Sequence, residues 1–330
     1  MHVLVTGGAG FIGSHIVTYH MDRGDNVHVV DNLLTGSLDN IAQYSDNSNF
    51  RFDEADILIW PDLDKAVSWA DRIYHMAGVV GIFKVIEEPT RVLATNIAGS
   101  ERVLRFVRDS GWNPVILMAS SSEVYGTSGR STLDEERTLV VTPDVNSRWN
   151  YAISKMADEA LGLSFVQKYG LRISILRIFN VIGSRQMGQY GMVVPRFIQQ
   201  AVSSEPVTVY GDGTQTRSFC DVRDAVVMFD KLAENPSANG QIVNVGKDEE
   251  ISIQALAELI IERANSSSKI VHVSYEDAYG EGFVDVRRRK PDLKKLFKLI
   301  KYKLQWSLER TIDDLIAEQR AKSSEGKKEG

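Results

Sequence analysis

Short apolar runs alternate with helix-length segments through the first 180 residues. The runs at residues 2–6, 26–31, 50–53, 72–76, 114–119 and 172–179 are candidate strands. Several are nearly continuous in Val, Ile and Leu, as strands covered on both faces of a parallel sheet are. Between them, residues 11–23, 90–110 and 151–169 carry helical patterns. This rhythm predicts a doubly wound parallel α/β sheet. Past Asn180 the loops lengthen, and helices at 194–202 and 253–264 mix with short strands near 207–210, 241–245 and 270–273. The expected organisation is a main sheet domain over 1–180 and a smaller C-terminal α/β lobe over 181–320, with segments around 207–246 returning to the main sheet. Residues 321–330 are small, polar and charged, and are expected to form a disordered tail.

A length of 330 residues suits one large α/β unit or two closely joined domains. The net charge of −6 argues against nucleic acid or an anionic membrane surface as partner. The basic run Arg287-Arg288-Arg289-Lys290 is local. With one cysteine, Cys220, no intrachain disulfide can form, and Cys220 reads as a small buried residue. No charged and apolar leader precedes the first strand, so a cytoplasmic location is expected. No apolar run approaches the roughly 18 residues of a membrane span. The histidines, His2, His15, His20, His28, His75 and His272, show no metal-ligand spacing, and no metal is expected.

The first strand runs into Thr6-Gly7-Gly8-Ala9-Gly10-Phe11-Ile12-Gly13, which opens a helix. Glycines at 7, 10 and 13 permit a tight turn, close approach of backbone to a pyrophosphate and close helix–sheet packing. The helix N-terminus offers the phosphates free amides and the positive end of its dipole. Asp31, eighteen residues after Gly13, ends the second strand beside Asn32. A carboxylate there accepts hydrogen bonds from ribose hydroxyls and repels a 2′-phosphate, which favours NAD over NADP. Tyr151 and Lys155 lie four apart in a helical pattern and so share a face. A neighbouring ammonium lowers a phenol's pKa and fits it to take a proton from a hydroxyl. Ser120-Ser121-Ser122-Glu123-Val124-Tyr125-Gly126 follows the fifth strand directly, at the strand end where ligands bind in such sheets.

From residue 2 to about residue 316 the chain resembles the extended short-chain dehydrogenase/reductases, the NAD-dependent epimerases, dehydratases and decarboxylases of nucleotide-sugars. The resemblance implies a Rossmann-type fold with a C-terminal substrate lobe, and often a homodimer pairing the helices at 90–110 and 151–169 with their copies. It implies a catalytic set of Ser121, Tyr151, Lys155, Glu123 and Ser122, with Tyr151 the base, Lys155 orienting the nicotinamide ribose, and Ser122 and Glu123 discriminating the reaction. It implies cofactor contacts at Gly7, Gly10, Phe11, Ile12, Gly13, Asp31, Asn32, Asp56, Ile57, Ala77, Tyr151 and Lys155, with Asn96 a structural or cofactor-side amide. Leu176-Arg177-Ile178-Phe179-Asn180 resembles the segment whose asparagine meets the substrate diphosphate. The stretches 207–217 and 289–292 resemble the nucleotide-gripping segments, with Tyr210, Arg217 and Arg289 as contacts and Val194 beside them. Two arginines on a pyrophosphate is sound chemistry, because the guanidinium fork matches phosphate oxygens. Tyr125 can line the pocket or pack.

Every reaction of this group starts by removing the C4 hydroxyl proton and passing hydride to NAD, giving a 4-keto sugar. The dehydratases carry an Asp-Glu pair where this chain has Ser122-Glu123, so the acid for water loss is missing. Ser-Glu before Val-Tyr-Gly, and Arg289-Lys290-Pro291-Asp292, resemble the UDP-glucuronate decarboxylases, which make UDP-xylose. Decarboxylation is therefore the leading expectation, ahead of 4-epimerisation of a UDP-hexose or UDP-hexuronate, then 4,6-dehydration and then NAD binding without turnover. Residues 146–150 and 301–304 depart from the decarboxylase pattern.

Overall fold

The computed structural model describes residues 1–81, 85, 87–127, 132–141, 149–188, 192–280 and 285–325. Along the first half run β1 (His2–Thr6), α1 (Phe11–Asp22), β2 (Asn26–Asp31), β3 (Phe50–Glu54), α2 (Leu63–Trp69), β4 (Arg72–His75), α3 (Pro89–Ser110), β5 (Val115–Ser121), α4 (Asn150–Tyr169) and β6 (Arg172–Ile178). The second half continues with β7 (Val181–Ile182), α5 (Val193–Val202), β8 (Val207–Tyr210), β9 (Thr216–Ser218), β10 (Cys220–Asp221), α6 (Val222–Glu234) and β11 (Ile242–Val245). It ends with β12 (Glu250–Ser252), α7 (Ile253–Arg263), β13 (Ile270–Val273), α8 (Tyr275–Tyr279), β14 (Arg288–Arg289), α9 (Lys294–Leu299) and α10 (Leu308–Glu325).

The central sheet has the order β11-β6-β5-β4-β1-β2-β3, parallel throughout. Successive residues of a strand point to opposite faces. Val3 and Val5 thus pack with Ile16 and Val17 of α1 and Phe229 of α6, while Leu4 packs on the other face with Leu63 of α2 and Leu104 of α3. Both faces are covered, which is why the strands read as unbroken apolar runs. The chain moves from one side of β1 to the other between β3 and β4. This makes β1/β4 the switch point at whose carboxyl edge a ligand crevice forms.

Helix ends follow local rules. Pro89 opens α3, and Gly111 and Gly170, both left-handed, close α3 and α4. The N-terminus of α1 has neither a side-chain cap nor an acidic residue in its first turn.

The lobe has its own core, with Val194 and Phe197 of α5, Val207 and Val209 of β8, Leu256 and Ile260 of α7 and Ile312 of α10. The return to the main sheet is shorter than expected. Residues 207–218 pair within the lobe, β8 with β13 and β9 with β12 and β14. Cys220, α6 and β11 rejoin the central layers, as do Leu293, Leu296 and Ile300 at α9. The reason is visible in β8, whose buried and half-buried residues alternate, the mark of a strand covered on one face. The expected tail begins too early, since α10 continues to Glu325 and only 326–330 lie outside the described residues. No helix among the described residues is long and apolar enough to cross a membrane.

Candidate active site

Two clefts meet at the carboxyl edge of the sheet. The first, of about 450 Å³, is lined by Gly7, Gly10, Phe11, Ile12, Gly13, Asp31, Asn32, Asp56, Ile57 and Ala77, the expected cofactor residues, and reaches Ser121, Tyr151 and Lys155. Gly7 has φ +72°, and a Cβ on Gly13 would fall on the Gly7 carbonyl oxygen, so the turn closes only with glycines. The uncapped end of α1 leaves amides free for phosphate oxygens. Asp31 accepts from the amides of Ala9 (3.0 Å) and Leu33 (2.8 Å). A carboxylate has about four lone-pair sites, so ribose hydroxyls still find acceptors. Burial pushes the Asp31 carboxyl above its ordinary range, against the pull of these amides. Asn32 donates to Asp56 at 3.3 Å, and Asp56 accepts from the Leu58 amide at 2.9 Å. These features fit a dinucleotide.

Asn96 belongs to the scaffold. Its amide bonds both the N–H (2.7 Å) and the carbonyl (3.2 Å) of Val79 and donates to Ser154 (3.1 Å), which uses both of its ends. Arg185 went unnoticed in the sequence. It lines the cofactor cleft and donates to the Ser14 carbonyl of α1 at 3.0 Å, a cation beside the phosphate cradle.

We expect Asp31→Ala to lower NAD affinity by about tenfold, the worth of a charged hydrogen bond, and to erode its preference over NADP. Binding titrations with both dinucleotides check this, and an unchanged preference would remove Asp31 from the cofactor site.

At the junction of the clefts, Ser121 stands beside Tyr151. Burial pushes the Tyr151 phenol up, and Lys155 and then Ser121 draw it down. The Ser121 hydroxyl accepts from the Glu123 amide at 3.2 Å, which fixes its position. Ser122 is buried in the wall of the second cleft. Glu123 faces that cleft and pairs with Arg289 at 2.7 Å. A phenol, a hydroxyl and an ammonium so arranged can remove a proton from an alcohol and stabilise the resulting oxygen charge.

The second cleft, of about 370 Å³, carries Asn180, Val194, Tyr210, Arg217 and Arg289 in its walls. Asn180 donates to the Ser218 carbonyl at 3.1 Å, and Arg217 pairs with Asp285 at 2.8 Å. Asp285, Tyr275 and Arg196 were not foreseen. Tyr275 donates to Asp285 at 3.0 Å, and Arg196 lies 4.0 Å over the Tyr210 ring. Tyr125 packs rather than lines: it is fully buried and donates to Asn244 at 2.7 Å. His75 is buried between Thr6 (2.8 Å) and Ser100 (3.2 Å). Of residues 146–150, 146–148 lie outside the described residues, while Trp149 is buried. Tyr302, within 301–304, donates to Asp224 at 2.5 Å and so ties the strap before α10 to α6.

Fold and site together define an enzyme of Rossmann type that works on an alcohol through a bound dinucleotide. The chain belongs to the NAD dependent epimerase/dehydratase family, whose profile matches residues 3–246. It is 35% identical over 316 residues to the UDP-N-acetyl-alpha-D-glucosaminuronate decarboxylase of Bacillus cytotoxicus, covering 95% of this chain and 96% of that protein. It is 34% identical over 301 residues to UDP-glucuronic acid decarboxylase 4 of Arabidopsis thaliana, covering 91% of this chain and 64% of the plant protein. Among solved structures, UDP-glucuronic acid 4-epimerase from Bacillus cereus in complex with NAD matches at TM-score 0.84 and 26% identity, covering 97% of this chain and 99% of that one.

Proposed function

We propose that this protein decarboxylates a UDP-linked hexuronate, UDP-glucuronate being the first substrate to test. The observation that carries the reading is the Glu123–Arg289 pair beside Ser121 and Tyr151. It puts a guanidinium and a carboxylate within reach of a uronic acid whose C4 hydroxyl meets Tyr151. The decarboxylases of B. cytotoxicus and A. thaliana are similar over nearly the whole chain.

NAD, held by the glycine turn, Asp31 and Lys155, would supply the acceptor for the C4 hydride and the hydride for the later reduction. Tyr151 takes the C4 hydroxyl proton, and Ser121 donates to the same oxygen. The carboxylate, now β to a ketone, leaves as carbon dioxide. Its bonding pair passes into an enolate whose oxygen is held by Ser121 and Tyr151, a proton from water adds at C5 in place of the lost carboxylate, and Tyr151 gives its proton back to the C4 oxygen when C4 is reduced. Ser122 brings no acid for water loss. In this reading residues 1–180 hold the dinucleotide, and 181–320 mainly grip the nucleotide-sugar through Val194, Tyr210, Arg217 and Arg289, with Asn180 joining them from the boundary. Two copies pair through α3 and α4, to be read as a dimer mass by light scattering.

Mass spectrometry and proton NMR on UDP-glucuronate, UDP-N-acetylglucosaminuronate, UDP-glucose and UDP-galactose test the reaction. Loss of carbon dioxide from a uronate supports it. A product of unchanged mass with inverted C4 replaces it with 4-epimerisation, the chemistry named for the B. cereus structure. Glu123→Gln is expected to slow decarboxylation by about tenfold or more, the worth of the charged pair that holds Arg289 beside the uronate. Equal rates in mutant and wild type would remove Glu123 from the chemistry.

A further inference from the structure

Helix α4 carries a carboxylate that the chemistry above does not use. Asp158 lies three residues after Lys155 and is fully buried. Its Oδ2 accepts from the Lys155 ammonium at 3.0 Å. Its Oδ1 is buried and, among the described residues, has no hydrogen-bond partner. A buried carboxylate with one oxygen unmatched is costly, and packing alone gives no reason to keep it.

We propose that Asp158 is a positioning residue that sets the proton affinity of Tyr151 by pinning Lys155 and offsetting its charge. The proposal rests on the reading of Tyr151 as the base.

The charges around this group have counterparts of their own. Glu159 on the same helix is held by the Arg177 fork from β6, at 2.8 Å to each oxygen, and takes the Ser120 hydroxyl from β5 at 2.6 Å. Glu123, after β5, is paired with Arg289. His75 of β4 is lowered to about 3 by burial and then by Lys155, so it stays neutral. The counter-charge of Asp158 is the Lys155 ammonium.

Two consequences follow. Burial lowers the proton affinity of Lys155, but Asp158 first and Tyr151 second outweigh it, and the ammonium is held above its ordinary range. At the phenol, burial raises the pKa; Lys155 and the Ser121 hydrogen bond lower it; Glu123 and Asp158 raise it again. An ammonium paired 3.0 Å from a carboxylate projects a weaker field than an ammonium alone. Tyr151 thereby keeps a higher proton affinity than an unpaired ammonium would leave it, and is the stronger base once ionised. Gly78, whose Cβ would lie 3.6 Å from Lys155 Nζ, lines the cofactor cleft beside the ammonium.

The test is a tyrosinate titration at about 295 nm of the NAD-loaded protein, wild type and Asp158→Asn, each minus its Tyr151→Phe counterpart to isolate Tyr151. The expected result is a Tyr151 midpoint about one unit lower in Asp158→Asn, or tenfold more tyrosinate at any pH below both midpoints. Asp158→Ala, which removes the acceptor altogether, is expected to move it the same way and serves if the Asn variant does not fold. A midpoint that stays or rises overturns the proposal, as does lower thermal stability with the midpoint unmoved. The titration needs no sugar, so a wrong substrate leaves its result standing. An active Tyr151→Phe enzyme would sink the reading of the base separately.

Discussion

Replacing Tyr151 by Phe should lower kcat by about three to four orders of magnitude, the worth of a positioned base, while the protein stays folded. The phenol lies where no other group can take its place. Ser121 holds the Glu123 amide, Lys155 is an ammonium pinned on Asp158, and the Glu123 carboxylate is committed to Arg289. The ring itself lies against Val79, Val85 and Val92, and Phe keeps that packing. NAD affinity should change by no more than about tenfold, since at most one neutral hydrogen bond is lost. In the wild type, kcat/KM should rise with pH up to the Tyr151 ionisation, because the base acts deprotonated. Product formation followed by NMR, with NAD binding measured by fluorescence, separates the two effects. Turnover within tenfold of wild type would move the proton transfer to another residue.

The parts of this site that could be read from the sequence are those where a residue type is tied to a strand or helix end. Gly7, Gly10 and Gly13 follow β1, Asp31 closes β2, and Tyr151 and Lys155 share a turn of α4. Each is local, so spacing suffices. Contacts across the fold left no such trace. Arg289 meets Glu123 across 166 positions, and Arg217 meets Asp285 across 68. Neither acid stands in any periodic relation to its arginine, and both arginines were taken only for phosphate grips. Arg185 was missed because it follows a short strand, β7, outside the main sheet. Asn96 could not be assigned because helical position does not say which backbone its amide meets. The lobe strands were misjudged for a different reason. Their apolar content was read, but the alternation in β8, which separates a one-faced sheet from a two-faced one, was not.

Arg177 gives the largest expected loss of stability, and it comes from a residue the sequence offered only as part of the Asn180 segment. Its guanidinium forks onto both oxygens of Glu159, and its plane lies 4.8 Å over the Tyr125 ring. Burial alone would lower its proton affinity, but Glu159 and Tyr125 more than offset this. Tyr125 continues to Asn244, whose amide donates to the Leu133 carbonyl at 2.8 Å. One arginine therefore ties α4, β6, β11 and the loop beyond Tyr125 together directly beneath Ser120 and Ser121. Arg177→Leu would strand the Glu159 carboxylate in the interior with the Ser120 hydroxyl as its main remaining partner. Breaking such a buried pair costs about 3–5 kcal/mol, a large share of the roughly 5–15 kcal/mol that holds a folded protein together. Glu159→Leu should cost a similar amount by stranding the guanidinium. The double variant, Arg177→Leu with Glu159→Leu, should be more stable than either single one, since it leaves no buried charge behind. Urea unfolding of the four proteins measures the cycle. A single Arg177→Leu protein as stable as wild type, or a double variant equal to the sum of the singles, would mean that the pair does not bear this load.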